Sequence, residues 1–559
     1  MKPKPWEADY ESGINENASN SIHEISKAQE TDPLLSKGDD GDDDPGFSET
    51  LENLQRHFGF ELLALLFVVQ HLLKGFVKHL IEQAEPYLFR AYHVPAPQMQ
   101  VYGGIASLPW AMKPLLGLMS DCLPVWGYNK GPYMLVTTFL GSMALLLVGV
   151  DPQNSMTVRG LVVCLFVITL QISTCDLLSE ARYAEGIKEV PKHGPALLTY
   201  VWFGMQVGGL VAVIASGFLI EHMGVRSPYL ISVLPAASVF IPISLGYLQE
   251  RQKTSEEIAE IRKKTFEQWE ACVLCLVTFS GIVFLLVIGL VSTGDPLTNC
   301  IAAVGVGLVL LLSFSFVLSP TIAKFNAFSL IQTSLSMSMG AAAYYFFTDT
   351  PEQYPEGPHF SQFFFNTVMG TTGAVFSLVG IYYYQRYMSH WSYRTLLLRT
   401  NLMYAILSCF DLLLFTRLNV KLGIPDHAFV LSSTCLGSVI SQWKWMPQVV
   451  ILSHMCPKGM EAIMYALLAG CHNLGNMVAA SCGAYLLEVL GCKPSGAPNE
   501  SKQFEKIWIV SAVTTALPMI TIIALFWLIP DARQDEKLLD DADCDATKGS
   551  LYRRLIGRD

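Results

Sequence analysis

Fourteen long apolar runs divide this chain, and no other feature limits its fold so tightly. They fall at about 58–81, 99–119, 133–150, 158–180, 196–220, 228–248, 271–292, 300–318, 322–347, 361–384, 395–416, 427–450, 462–487 and 506–529. About twenty apolar residues suffice to cross a bilayer as a helix. Hydrophobic residues make up 51% of the 559 and charged residues only 15%, where a soluble chain carries about a quarter charged. The sequence therefore predicts an all-α polytopic membrane protein. Residues 249–270 interrupt the pattern with Arg251, Lys253, Glu256, Glu257, Arg262, Lys263 and Lys264. Such mixed charge reads as a solvated helix, and it splits the chain near its middle.

The ends are of another kind. Residues 1–57 are polar, acidic and poor in aromatics, which predicts a disordered tail. They lack the apolar core of a secretory signal and are too acidic for a transit peptide. Within them, Glu30-Thr-Asp-Pro-Leu34-Leu35 has the spacing of an acidic dileucine signal, the kind a sorting adaptor reads. That hexamer also arises by chance, so a plasma membrane and a vacuolar or lysosomal membrane both stay open. Residues 531–559 form a second polar tail, also expected to be disordered. The net charge of −11 comes mostly from the tails and argues against nucleic acid, whose partners are basic. Most of the thirteen cysteines lie in apolar runs, and Cys272-x-x-Cys275 has no second pair at zinc spacing. They read as small packing residues, with no metal or cofactor expected. With the amino terminus inside, inner connections hold about 26 Lys and Arg and outer ones about 8. This bias puts both termini on the cytoplasmic side. The sequon Asn499-Glu-Ser501 then falls outside and Asn17-Ala-Ser19 inside.

Charges within a membrane span are costly and mark function by default. Gln70, Lys74, Lys78 and Glu82 recur every fourth residue in the first run, beside His71, and so share a helix face. At about 1.5 Å per residue, Lys74 falls in the outer half, lining a water-filled cavity. Lys78 falls near the outer edge, where it can snorkel. Lys113 stands between Pro109 and Pro114 in the inner half of the second run. Pro114 frees a backbone carbonyl and predicts a kink. Lys113 reads either as an anion-binding or gating cation or as half of a permanent ion pair. Asp176 and Glu180, also four apart, precede Arg182 and Glu185. With Asp121, and with Lys130 in the following loop, they read as an inner lock, as a static clamp, or as a proton-coupling group, since two carboxylates on one face repel. Gly204, Gly208, Ala212 and Ser216 form a small face, as do Ala462, Ala466 and Gly470, and small faces let helices approach closely. His472, Asn473 and Asn476, with Gln206 at similar depth, either bond a ring edge at the midplane or bond between helices. Trp443, Lys444 and Trp445 read as interface anchors. No P-loop, His-Glu-x-x-His, nucleophile elbow or dinucleotide fingerprint occurs, so neither an enzyme nor an ATP-driven pump is expected.

Two stretches carry a resemblance. Leu108-Pro109-Trp110 … Lys113-Pro114 … Gly117 … Ser120-Asp121, then Gly127-Tyr128 … Pro132-Tyr133, is one; Met446-Pro447 … Cys456-Pro-Lys-Gly-Met460-Glu461-Ala462 … Tyr465-Ala466 is the other. Together they resemble the folate–biopterin transporter family, a branch of the major facilitator superfamily. Members commonly carry two basic residues where this chain has Asn129-Lys130. The resemblance implies two six-helix bundles, 58–248 and 319–530, which leaves 271–318 as an inserted helical hairpin. A faint repeat agrees: Gly117-xxx-Asp121 and Gly380-xxx-Tyr384 close corresponding spans. It further implies secondary transport of folate, biopterin or a related pterin by alternating access, as a proton symporter. Lys74 and Lys113 would then meet an anionic tail, and Gln206, His472, Asn473 and Asn476 a pterin ring. Asp121, Lys130, Asp176, Glu180, Arg182 and Glu461 would serve gating or proton coupling. The resemblance leaves another metabolite, such as S-adenosylmethionine, open as the cargo of the same fold, and a non-transporting receptor or scaffold is the reading from another class.

Overall fold

The computed structural model describes residues 47–151, 155–456, 461–534, 536, 538 and 546–557. They form helices, and no strand occurs among the described residues. The first half comprises α1 (47–91), α2 (96–122), α3 (Gly131–Val150), α4 (Val158–Glu189), α5 (Gly194–Met223) and α6 (Ser227–Ser244). A linking helix α7 (Ser255–Glu267) and a hairpin, α8 (Trp269–Val291) and α9 (Pro296–Val317), follow. The second half comprises α10 (320–348), α11 (Phe363–Met388), α12 (Tyr393–Phe415), α13 (Asp426–His454), α14 (Glu461–Leu490) and α15 (Ser501–Leu528). Among the described residues, ten helices are long and apolar enough to cross a membrane.

Local chemistry sets the ends. Glu250 accepts backbone N–H groups of Asn129, Lys130 and Gly131, the last two at 2.8 and 2.9 Å, placing a carboxylate at the positive end of α3. Thr254 and Glu257 form a reciprocal capping box on α7, satisfying two otherwise unpaired N–H groups. Pro97 and Pro132 sit in the first turns of α2 and α3, where a missing N–H costs nothing.

Several spans depart from the sequence expectation. α1 continues to Ala91, ten residues past its apolar run, and Ala84, Tyr87, Leu88 and Phe89 of that extension are buried. Lys74 lies five residues past the midpoint of the extended helix. Lys78 pairs with Glu82 at 2.8 Å instead of reaching for a lipid surface. Residues Phe67–Val77 of α1 are wound as a π-helix, a wider winding concentrated at functional sites. α2 tightens to a 3-10 turn over Leu108–Met112, directly before the proline at 114. α10 opens between Leu335 and Gly340. The carboxy-terminal segment is also not loose throughout. Gln534 is buried and bonds the carbonyls of Met388 and Trp391, Ser319 donates to the carbonyl of Ala546, and Tyr552 packs against Trp269 and Phe316. The dileucine hexamer Glu30–Leu35 and the sequon at Asn17 lie outside the described residues.

The halves meet along two seams. α2 and α14 run together: Gly470 stands against Ala111 and Pro114, Gly104 against Met477, and Gln100 bonds the carbonyl of Ala480. The α8–α9 hairpin covers this seam, with Gly289 against Ile105 of α2 and Gly307 against Val478 of α14. α5 and α11 meet at Gly217 and Thr367. Cross-half bonds gather on the face bearing the α1–α2, α10–α11 and α14–α15 connections, called here the distal face. Arg90 pairs with Asp349 at 2.9 Å and donates to Thr348 Oγ1 at 2.9 Å and Gln353 at 2.5 Å. Tyr345 donates to the carbonyl of Val94 at 2.8 Å, and the amide of Ala96 to that of Pro494.

Candidate functional site

α1, α2 and α4 bring four charged side chains into one cluster. Asp176 receives Lys74 at 2.7 Å on one oxygen and Lys113 at 2.6 Å on the other. Glu180, one turn on, lies 3.5 Å from Lys74 and 3.4 Å from Lys113. Each ammonium thus touches both carboxylates, and the cluster is charge-balanced. Gln70 fixes the buried side by donating to Asp176 at 3.0 Å and to Ser179 at 2.8 Å. Trp202 covers Lys74 at 5.7 Å and Trp110 covers Lys113 at 5.1 Å, within the range at which a ring face attracts a cation. Charge-assisted bonds as short as the two to Asp176 are about twice as strong as neutral ones.

Exposure separates the four. The side chain of Asp176 is 1% exposed, Lys74 and Lys113 are 16% and 18%, and Glu180 is 34%. Glu180 is the most exposed of the four. Tyr465 of α14 lies within electrostatic range of Glu180, Lys113 and Asp176, so the second half reaches the same place. The repulsion expected between the carboxylates is cancelled by the two ammonium groups between them.

The other expected residues divide. Lys130 pairs with Glu185 at 2.5 Å, and Arg182 reaches Glu185 at 3.9 Å, the carbonyl of Leu248 at 3.1 Å and Gln249 at 2.6 Å. These bonds tie α3, α4 and α6 together within the first half. Asp121 is exposed beside them. His472 accepts or donates at Ser329 (3.2 Å) and Thr333 (3.1 Å) and lies against the Trp445 ring; Asn473 bonds the carbonyl of Trp110 at 3.3 Å across the seam. Both are occupied with helix-to-helix bonds. Asn476 and Gln206 are exposed. Glu461 opens α14, and its side chain lies outside the described residues. Among the described residues, no group of His, Cys, Asp and Glu is arranged to hold a metal.

The second half has a feature the sequence reading missed. A cavity of about 520 Å³ lies among α10, α11, α12, α13 and α15. Lys444, expected as an interface anchor, lines it, with its ammonium 5.0 Å from the Tyr404 ring centre. Its neighbour Trp443 likewise turns inward, donating to the carbonyl of Gly380 at 2.9 Å. Asp411 lines the same cavity and accepts from Ser433 at 3.2 Å. A carboxylate in the apolar run 395–416 was the available signal, by the same logic that singled out Asp176.

Solved structures with this architecture are transporters. A POT family transporter in complex with 5-aminolevulinic acid superposes with a TM-score of 0.60 at 12% identity, covering 84% of this chain and 96% of that one. A D-xylose-proton symporter gives 0.52 at 12% identity over 88% and 100%. These likenesses establish the major facilitator fold. "Probable folate-biopterin transporter 6" of Arabidopsis thaliana is 23% identical over 460 residues, 82% of this chain and 80% of that protein. A "Folate-biopterin transporter" of Synechocystis sp. is 25% identical over 419 residues, 74% and 72%. The sequence pattern of the BT1 family matches residues 74–548, and the chain, a multi-pass membrane protein, belongs to that family of transporters.

Proposed function

We propose that this protein carries folate, biopterin or a related pterin across a membrane by alternating access, with a proton moving alongside an anionic cargo. The observation that carries the reading is the balanced cluster of Lys74, Lys113, Asp176 and Glu180, with Glu180 its open member. At rest both ammonium groups are neutralised. An anionic group arriving beside them adds an uncompensated negative charge in a medium that penalises it heavily. A proton on Glu180 removes that excess and releases the lysines to the newcomer. Anion and proton therefore favour each other's binding, and such coupling is reciprocal. Asp176, buried and held by three donors, stays as the fixed counter-charge. The distal bonds around Arg90 hold one side shut while the cluster faces the other, and rocking of the halves about a midplane site would exchange the two.

The relatives' names support the cargo class, and the charges support the coupling. The test is uptake of radiolabelled folate and biopterin into proteoliposomes at two external pH values. Glu180→Gln is expected to bind folate while losing the pH dependence of its uptake. Lys74→Ala and Lys113→Ala are each expected to lower folate uptake at least tenfold. If both lysine variants leave uptake and substrate-induced thermal stabilisation unchanged, the role given to the cluster is wrong.

A further inference from the structure

The second half carries two charges that neither the cluster nor the distal bonds use. Lys444 on α13 has no carboxylate within ion-pair distance among the described residues, and its ammonium rests over the Tyr404 ring. Asp411 on α12 has no cation partner there and receives a single hydroxyl, Ser433. Both line the one cavity of about 520 Å³. That volume lies within the roughly 300–1,000 Å³ of small-molecule sites. Unpaired charges among membrane helices are expensive and kept for function.

Their spacing excludes mutual neutralisation. Tyr404, beneath Lys444, and Asp411 are seven residues apart on α12, about 10 Å along a helix. Ser433, beside Asp411, and Lys444 are eleven apart on α13, about 16 Å. The two charges are thus stationed toward opposite ends of an elongated space. Its walls suit a flat, partly polar body: Phe347 and Phe415 supply apolar surface, and Ser408, Thr514 and Thr515 supply hydroxyls. α10 opens at 336–339 on the same cavity, and Ser336 and Ser338 line it.

We infer that this cavity binds an elongated ligand whose anionic group meets Lys444 and whose amidine-like ring edge, with two N–H donors side by side, meets the Asp411 carboxylate. A carboxylate accepts such an edge on both oxygens at once. The compact zwitterion of an α-amino acid is too short to satisfy both ends. A pterin bearing a glutamate tail is long enough and carries both groups; naming it rests on the function proposed above.

The experiment divides the ligand. Purified full-length protein is titrated with folate, with biopterin (ring without a charged tail) and with p-aminobenzoyl-glutamate (tail without the ring). Asp411→Asn is expected to weaken folate and biopterin about ten- to hundred-fold and to leave p-aminobenzoyl-glutamate unchanged. Lys444→Gln is expected to weaken folate and p-aminobenzoyl-glutamate by a similar factor and to spare biopterin. Wild-type binding with neither variant altering any ligand overturns the cavity assignment alone. Equal losses for all three ligands in both variants also overturn it, since that pattern reports damage to the fold. No binding of any of the three to the wild-type protein, with no uptake, overturns the proposed cargo and this inference with it.

Discussion

Asp349 carries the distal face. Its side chain is fully buried, Arg90 is its ion partner at 2.9 Å, and neither carboxylate oxygen receives a well-aligned hydrogen bond. Burial pushes its carboxyl up to about 7; Arg90 pulls it down and Glu500 pushes it further up. His359 bonds its backbone carbonyl at 2.7 Å, and Tyr344 and Tyr345 flank Arg90. In an open, hydrated state the same carboxyl returns to an ordinary value of about 4. The closed face therefore binds the proton more tightly than the open one. Its stabilisation by Asp349 is complete below about pH 4 and is lost as pH rises through about 7. Spin labels on the α1–α2 and α10–α11 connections are expected to report a larger open fraction at pH 8 than at pH 5, changing at most about tenfold per unit between pH 4 and 7. Asp349→Asn is expected to flatten that response, and an unchanged slope in this variant rules the residue out.

Among the elements, α1 and α5 depend on contacts that only glycine allows. A Cβ on Gly208 would stand 2.4 Å from the backbone oxygen of His71, and one on Gly204 would overlap the His71 ring. A Cβ on Gly75 would lie 2.8 Å from the backbone oxygen of Met205. Gly208→Ala is expected to cost about 1–3 kcal/mol through overpacking, seen as a lower melting temperature. Gly305→Ala, where nothing lies within 4 Å, is expected to leave it level or slightly higher, since alanine favours a helix. The packing role of this glycine face was legible from its four-residue spacing alone. The meeting of Lys74, Lys113, Asp176 and Glu180 was legible only in part: Lys113 was open to an ion pair, but the spacing put Lys74 in the outer half of its span, away from the two carboxylates. The split of the polar stripe was not. Regular α spacing puts Gln70, Lys74, Lys78 and Glu82 on one face, but the π winding over 67–77 leaves Gln70 and Lys74 on Asp176 and Lys78 on Glu82. Lys444 was hidden differently. Two flanking tryptophans imitate an interface belt, and only the tertiary fold turns Trp443 and Lys444 inward.

For the whole molecule, the two seams are built differently, and that asymmetry bears on where the proposed rocking would part them. α2 and α14 touch at Gln100, Gly104, Ala111 and Pro114, and the α8–α9 hairpin packs on both of these helices. Cys300 of α9 stands 3.6 Å from Cys482 of α14, so a link between them would fasten the hairpin to the second half. α5 and α11 meet where Thr367 donates to the carbonyl of Ile214 at 3.1 Å. If the halves rock, the covered seam acts as the pivot and the α5–α11 contact must part. Oxidative cross-linking of Cys300 to Cys482, in a background lacking the other cysteines, is therefore expected to leave uptake within about twofold of the reduced protein. A Gly217→Cys, Thr367→Cys pair would bring two thiols together there; because a Cβ on Gly217 also falls 2.9 Å from the Cα of Phe363, the reduced double variant is first required to show uptake. Oxidation of that pair is expected to abolish uptake, and a reductant to restore it. Full uptake with the α5–α11 link closed would mean that cargo passes without separation of the halves on that side. Loss of uptake on linking Cys300 to Cys482 would mean that the hairpin slides against α14 and is itself a moving part.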